Sequence, residues 1–141
     1  MKIGLLLAAG KSSRFSGKNS ARANKIFAEI FGEPVFVHGL RLLRNTCDHV
    51  LMAVRKVDEG KINKILRGQG ITKVTLYIGG SSRCESVLRA RRFFPKVPRP
   101  SDYLIIHNAA NPRASREELM HAIKAMKKGI SGIALGRKIC S

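Results

Sequence analysis

The sequence has no tryptophan, and its 141 residues include only two tyrosines and six phenylalanines. Proteins that bind single-stranded nucleic acid without sequence preference stack the bases on aromatic side chains, so this scarcity argues against that class. The chain also carries no helix-turn-helix signature. Nucleic acid is therefore not expected as the partner.

Cysteine is scarce as well, and Cys47, Cys84 and Cys140 share no C-x-x-C spacing. This pattern argues against a zinc knuckle or a disulfide framework. No apolar run approaches the roughly 20 residues that a membrane-spanning helix needs. The N-terminal segment also lacks the shape of a signal peptide. We therefore expect a cytoplasmic protein without a membrane partner.

Acidic residues are few, with nine Asp and Glu against 27 Lys and Arg, which gives a net charge of +18. A field of this sign attracts polyanions and accelerates the association of phosphorylated ligands. The charge alone does not distinguish nucleic acid from a nucleotide. It also fits a proteome that is basic throughout, in which case it indicates no partner.

Apolar runs and helical patterns alternate along the chain, which predicts one α/β domain over residues 1–141. We expect a Rossmann-like three-layer fold, with a mostly parallel sheet and helices on both faces. The predicted strands cover residues 2–7, 49–54, 74–78, 103–106 and 130–135. The predicted helices begin near Pro34 and cover residues 58–66, 83–94 and 115–128, with Asp58 as a cap and Ser115 with Glu118 as a capping box.

Ligands of such sheets bind at the carboxyl ends of the strands, which directs attention to residues 8–25, 79–86 and 107–113. In the first segment, Ala8, Ala9 and Gly10 leave the backbone bare for a phosphate. A Walker A loop is excluded because Leu5 stands where its first glycine is required. Five cations then precede the first acidic residue: Lys11, Arg14, Lys18, Arg22 and Lys25. A solvated basic loop and a triphosphate site both fit this charge pattern.

Three motifs resemble one enzyme family. "LLLAAGKSSRF" is similar to the A-A-G-x-x-x-R start of nucleotidyltransferases of the nucleotide-diphospho-sugar transferase type. "GGSSRCESV" and "DYLIIHNAANP" are similar to the G-G-x-x-R-x-x-S-V and V-H-D-A-A-R-P motifs of 2-C-methyl-D-erythritol 4-phosphate cytidylyltransferases. The motifs occur in the expected order and in the three segments that the sheet rule selects.

The resemblance implies transfer of CMP from CTP to 2-C-methyl-D-erythritol 4-phosphate, with release of pyrophosphate, in isoprenoid precursor synthesis. By the motifs, Arg14 and Lys25 are the catalytic cations that neutralise charge around the α-phosphorus. Lys25 follows a longer loop than usual, and the family's Pro-Lys pair reads Asn24-Lys25 here. The nucleotide-binding residues implied by the motifs are Ala8, Ala9, Gly10, Lys11, Gly80, Ser81, Arg83, Ser86 and Ala109.

The third motif departs from the family pattern at two positions. Asn108 stands where the family has its Mg²⁺-binding aspartate, and Asn111 stands where it has arginine. Mg²⁺ prefers anionic oxygen ligands, so we expect Asn108 to be a weakened metal ligand and Mg²⁺ binding to be weaker. His107 is expected to support its loop rather than to perform acid-base chemistry.

The resemblance covers about the first two-thirds of a typical member. Family members continue with a D-T-x-K stretch and an arm that forms a homodimer, and we expect both to be absent from this chain. Three alternatives stay open at this point: the enzyme named by the resemblance, another sugar- or alditol-phosphate cytidylyltransferase, and a non-catalytic nucleotide-binding module.

Overall fold

A parallel sheet forms the centre of the computed structural model, which describes residues 1–10, 24–126 and 132–134. The strands of this part are β1 (Lys2–Leu7), β2 (Glu29–Ile30), β3 (Glu33–Pro34), β4 (His49–Val54), β5 (Val74–Ile78) and β6 (Tyr103–Asn108). Its main sheet has the order β5-β4-β1-β6, and each neighbouring pair is parallel. Strands β2 and β3 pair antiparallel in a small hairpin.

Helices cover both faces of this sheet. They are α1 (Val35–Arg44), α2 (Glu59–Gly68), α3 (Arg83–Ala90) and α4 (Arg116–Ala125) among the described residues. Side chains alternate along a strand, so Leu6 and Met52 pack with α1 and α2 in one core cluster. Leu5 and Leu51 point the other way and pack with Ala90 of α3 in a second cluster. The predicted three-layer α/β fold is confirmed.

The predicted strands at residues 2–7, 49–54 and 74–78 are confirmed at both ends. Strand β6 runs two residues further than predicted and ends at Asn108, because it pairs with β1 along its whole length, from Lys2↔Tyr103 to Leu7↔Asn108. His107 and Asn108 are therefore strand residues rather than loop residues. The predicted strand at 130–135 is described only at residues 132–134, which form no strand.

Helix ends follow the sequence signals at one helix and depart from them at another. At α4, the Ser115 hydroxyl accepts from the Glu118 amide while the Glu118 carboxylate accepts from the Ser115 amide, which confirms the capping box. The prediction that the Asp58 side chain caps α2 is wrong. Its carboxylate instead accepts hydrogen bonds from Arg55 and Asn24, because the guanidinium of Arg55 is a charged partner whereas the backbone amides at the helix start are neutral donors.

Two shorter features complete the described fold. Phe31 and Gly32 connect β2 to β3 with positive φ angles of 53° and 77°, and α1 begins directly after Pro34. The helix predicted to reach residue 94 ends at Ala90, and a separate 3-10 turn, Arg91–Phe93, follows it. Within the described ranges, no helix combines the length and apolar character that crossing a membrane requires.

Candidate active site

The segments that follow β1 and β5 meet at the carboxyl edge of the sheet. A Cβ atom placed on Gly79 would come well inside 3.0 Å of the Ala9 Cβ, and 3.5 Å from the Ala53 Cβ of β4. Gly79 is also tied to β4, because its amide donates to the Val54 carbonyl oxygen at 3.0 Å. Glycine is needed here so that the two segments can approach each other.

The segment that follows β6 joins the same edge. Leu7, the last residue of β1, lies opposite Asn108, the last residue of β6. The Ala109 amide donates to the Leu7 carbonyl oxygen at 3.1 Å, and Ala109 is fully buried. The end of β1 therefore lies beside the segments that follow β5 and β6, at the one edge of the sheet where the sequence predicted them.

The Ala8 amide is used within the sheet, so it is not one of the bare amides that the sequence predicted after β1. The Ala8 amide donates to the Ala53 carbonyl oxygen at 2.9 Å, and the Ala8 side chain is buried, so Ala8 supports the edge from below. Gly10 is exposed, and no described atom lies within 4 Å of the position its Cβ would take. Packing of the described residues therefore does not explain why position 10 is glycine. Lys11 and Arg14 lie outside the described residues.

The segment after β5 is shaped by serine side chains. Ser86 is buried, and its hydroxyl accepts from the Gly80 amide at 2.9 Å while donating to the Ser82 carbonyl oxygen at 2.9 Å. Ser82 in turn caps α3 by accepting from the Glu85 amide at 3.0 Å. Ser86 thus fixes the loop from within, whereas Ser81 and Arg83 are exposed on its outer side.

Glu85 and Arg89 brace this loop from its outer side, a role that the sequence did not indicate. The Glu85 carboxylate accepts from the Ser81 amide at 2.6 Å and from the Ser81 hydroxyl at 2.7 Å. Arg89 donates to Glu85 at 2.5 Å and to the Gly79 carbonyl oxygen at 3.0 Å. Hydrogen bonds from Ser81, and then from Arg89, hold the pKa of Glu85 below its usual value.

The sequence motifs assign no role to Arg89. The available signal was its spacing from Glu85, because residues four apart on a helix face each other. That spacing predicts the ion pair, but it does not predict the hydrogen bond to Gly79.

The loop after β6 is closed by polar contacts of its own. The His107 Nε2 atom lies 2.9 Å from the Asn111 carbonyl oxygen, and the Asn111 amide donates to the Asn108 carbonyl oxygen at 3.0 Å. His107 therefore supports this loop, as predicted. Burial lowers the pKa of His107, while the hydrogen bond to Asn111 acts in the opposite direction. The imidazole is thus favoured in its neutral form, with Nε2–H donating to the carbonyl.

A glycine in α1 makes room for this histidine. A Cβ atom on Gly39 would lie 2.8 Å from the His107 Cδ2 atom and 3.2 Å from the Leu6 Cδ1 atom. Helix α1 can therefore approach the end of β6 only because position 39 carries no side chain. Gly39 was not identified from the sequence, since a glycine inside a helix pattern has no distinctive local signal.

Lys25 begins a 3-10 turn, Lys25–Phe27, and its side chain is exposed. Ile26 beside it is buried in the core cluster that also contains Ala8 and Ala109. The turn is therefore packed under the ends of β1 and β6. Asn24 is buried on the other side of Lys25, so both neighbours of this lysine are held by the protein.

A divalent cation at this edge would depend on Asn108 and on the carboxylates near the strand ends. Asn108 offers a neutral amide oxygen, which accepts from the Ala110 amide at 3.2 Å. The carboxylates nearest in sequence to the strand ends, Asp58, Glu59 and Glu85, are bound to Arg55, Lys56 and Arg89. Among the described residues, no three His, Cys, Asp or Glu side chains come together in a metal-binding group.

Comparison with known proteins agrees with the motifs and the fold. The sequence profile of the 2-C-methyl-D-erythritol 4-phosphate cytidylyltransferase family matches residues 3–139. The enzyme of that name from Thermotoga neapolitana is 33% identical, over 96% of this chain and 59% of its own length. The one from Bacillus mycoides is 26% identical, over 97% of this chain and 56% of its own length.

A solved structure shows the same fold. The 4-diphosphocytidyl-2C-methyl-D-erythritol synthase from Anaerococcus prevotii superposes with a TM-score of 0.67 at 21% identity, covering 90% of this chain and 51% of that one. The chain spans somewhat more than half the length of the curated relatives described above. On the match over residues 3–139, the chain belongs to the 2-C-methyl-D-erythritol 4-phosphate cytidylyltransferase family.

Proposed function

We propose that the chain binds CTP at the carboxyl edge of its sheet and transfers the cytidylyl group to 2-C-methyl-D-erythritol 4-phosphate. The observation that carries this proposal is the convergence of the three motif segments, with Gly79 against Ala9 and Asn108 opposite Leu7. The backbone of Ala9 and Gly10 forms the surface that the phosphates contact. The loop from Gly80 to Ser86 reads the cytosine with its backbone groups.

The reaction needs positioning and charge neutralisation rather than a covalent intermediate. A phosphate oxygen of the acceptor attacks the α-phosphorus of CTP, and the bond from that phosphorus to the bridging oxygen breaks as pyrophosphate leaves. Lys25 and Arg14 stabilise the negative charge that develops on the α-phosphate oxygens. Lys11 binds the triphosphate, and Arg83 lies at the start of α3 beside the base-reading loop.

Mg²⁺ is proposed to arrive bound to the triphosphate as part of the substrate. Asn108 then contributes a neutral oxygen, and the weaker binding expected from the sequence follows from the missing carboxylate. A cytoplasmic location stays a prediction from the lack of a membrane-spanning run and of a signal-peptide pattern, and a homodimeric state is what the resemblance implies for the family.

Calorimetry with CTP, ATP and GTP in the presence of Mg²⁺ tests the binding step. We expect CTP to bind most tightly, and equal affinities in a folded sample would contradict the proposal. Release of pyrophosphate, measured with 2-C-methyl-D-erythritol 4-phosphate as acceptor, tests the transfer step. CTP binding without turnover would favour a non-catalytic nucleotide-binding module, an alternative that the neutral Asn108 supports. Turnover with a different alditol phosphate would revise the proposed acceptor and leave the rest of the proposal in place.

A further inference from the structure

A buried polar network connects the end of β4 to the residue before Lys25. Arg55 follows β4 directly, and its Nε and Nη2 atoms donate to the Asp58 carboxylate at 2.5 Å and 3.0 Å. The same carboxylate accepts from the Asn24 side-chain amide at 2.9 Å. Asn24 is 4% exposed and Asp58 is 7% exposed. Two residues that are 34 positions apart are thereby held together.

Burial makes this network sensitive to the loss of a partner. Burial by itself raises the pKa of Asp58, but hydrogen bonds from Arg55 and Asn24 outweigh it and keep the pKa below its ordinary value. Asn24 and Arg55 both donate to the Oδ2 atom of Asp58, so loss of the Asn24 bond would leave that buried oxygen with the Arg55 bond alone. Asn24 and Asp58 therefore restrain each other strongly.

Asn24 also fixes the backbone on which Lys25 stands. Its main chain is extended, with φ of −80° and ψ of 123°, and its side-chain oxygen accepts from the Ile26 amide at 3.4 Å. Its carbonyl oxygen accepts from the Phe27 amide at 3.0 Å. Phe27 in turn packs edge-on against Phe36 of α1, with ring centroids 6.1 Å apart. Lys25 is thus an exposed residue on a backbone anchored on both sides.

We propose that Asn24 and Asp58 are positioning residues for Lys25, which they hold in place for the α-phosphate of the nucleotide. This inference rests on the proposed function. The lysine side chain loses rotational freedom when it binds a phosphate, and a backbone fixed in advance reduces the entropy that binding must still remove. A proline at this position would restrict the backbone through its ring, which fixes φ. Asn24 restricts the backbone through its hydrogen bonds instead.

The test uses the whole chain and measures CTP affinity by calorimetry. Asn24→Ala removes the bond to Asp58 and leaves the Arg55–Asp58 pair in place. We expect CTP binding to weaken by roughly threefold to tenfold, because a less ordered Lys25 has more conformational entropy to lose on binding. Asn45→Ala is the matched control, because Asn45 is an exposed residue at the C-terminal end of α1, and it should bind CTP like the wild type.

A double-mutant cycle with Lys25→Met separates positioning from general destabilisation. If Asn24 acts through Lys25, Asn24→Ala has little further effect once Lys25 is already replaced. Asn24→Ser carries the same test if the alanine variant does not fold, because serine caps a helical turn well but is too short to reach Asp58. Circular dichroism establishes that each variant is folded.

The outcomes separate this inference from the proposed function. Equal losses of CTP affinity in the wild-type and Lys25→Met backgrounds would show that Asn24 acts independently of the lysine. So would an Asn24→Ala protein that binds CTP like the wild type. In both cases the inference is overturned, while the proposed function is still supported because the wild-type chain binds CTP. A folded wild-type chain that binds no CTP would overturn both.

Discussion

Arg89 donates to the carbonyl oxygen of Gly79, ten residues earlier in the chain, at 3.0 Å. Through this bond α3 holds the end of β5, and the same guanidinium also binds Glu85, which holds Ser81. The loop between β5 and α3 is thus fixed at both its first and third residues before any ligand binds. A loop of this kind has less conformational freedom to lose on binding.

Replacing Arg89 with methionine should weaken CTP binding by about threefold to tenfold, because the released loop then has more conformational entropy to lose on binding. The thermal unfolding midpoint should change little, because exposed ion pairs contribute little to stability. Arg91→Met is the control, since Arg91 is also exposed and lies just beyond α3. Calorimetry on both variants checks this prediction. Equal CTP affinities of the two variants would contradict the idea that Arg89 holds the loop between β5 and α3 in place.

Gly79→Ala should destabilise the fold by about 1–3 kcal/mol, because the added methyl overlaps Ala9 and forces two packed segments apart. CTP binding should weaken as well, since Ala9 belongs to the surface that is proposed to contact the phosphates. Gly60→Ala is the control, because Gly60 lies in α2 with nothing within 4 Å of its Cβ position. That change should stabilise by about 0.5–1 kcal/mol. Chemical denaturation measures both, and a neutral Gly79→Ala would refute the close contact.

His107 should make the stability of the fold depend on pH in one direction. In the unfolded chain the imidazole takes up a proton near its ordinary pKa of 6.5, whereas burial lowers the pKa in the folded chain. The unfolded state therefore binds more protons as the pH falls below about 6.5, so stability is complete above that pH and declines below it.

The measurement is the urea midpoint between pH 5 and pH 8. His107→Gln should flatten this pH dependence, whereas His121→Gln, a change at an exposed histidine, should leave it in place. A wild-type midpoint that does not decline below pH 6.5 would argue against a neutral His107.

Asn108→Asp should make CTP binding depend more strongly on Mg²⁺. A carboxylate supplies a charge-assisted ligand bond where the amide supplies a neutral one, so we expect the ratio of CTP affinities with Mg²⁺ and with EDTA to rise roughly tenfold. Asn45→Asp changes the net charge equally at a distant position and should leave the ratio unchanged. An unchanged ratio in Asn108→Asp would mean that position 108 does not face the triphosphate.

The sequence alone predicted the layers of the fold well. The continuous apolar runs at β1 and β4 become central strands that are buried on both faces, whereas the edge strand β6 leaves Leu104 and Ile106 exposed. The three site segments could also be predicted, because parallel strands place their carboxyl ends at one edge. Helix α4 was predictable for a local reason, since its capping box is contained within Ser115–Glu118.

Long-range contacts are what the sequence could not provide. Asp58 has the residue type and position of a helix cap, but its carboxylate binds Arg55 close by and Asn24, which is 34 positions away in the chain. Gly39 and Gly79 look like ordinary glycines until His107 and Ala9 are placed against them. The hydrophobic pattern and the capping box of α4 depend on residues within a few positions of each other, so the sequence determines them. Side-chain pairing across the fold depends on which elements pack together, and only the tertiary structure decides that.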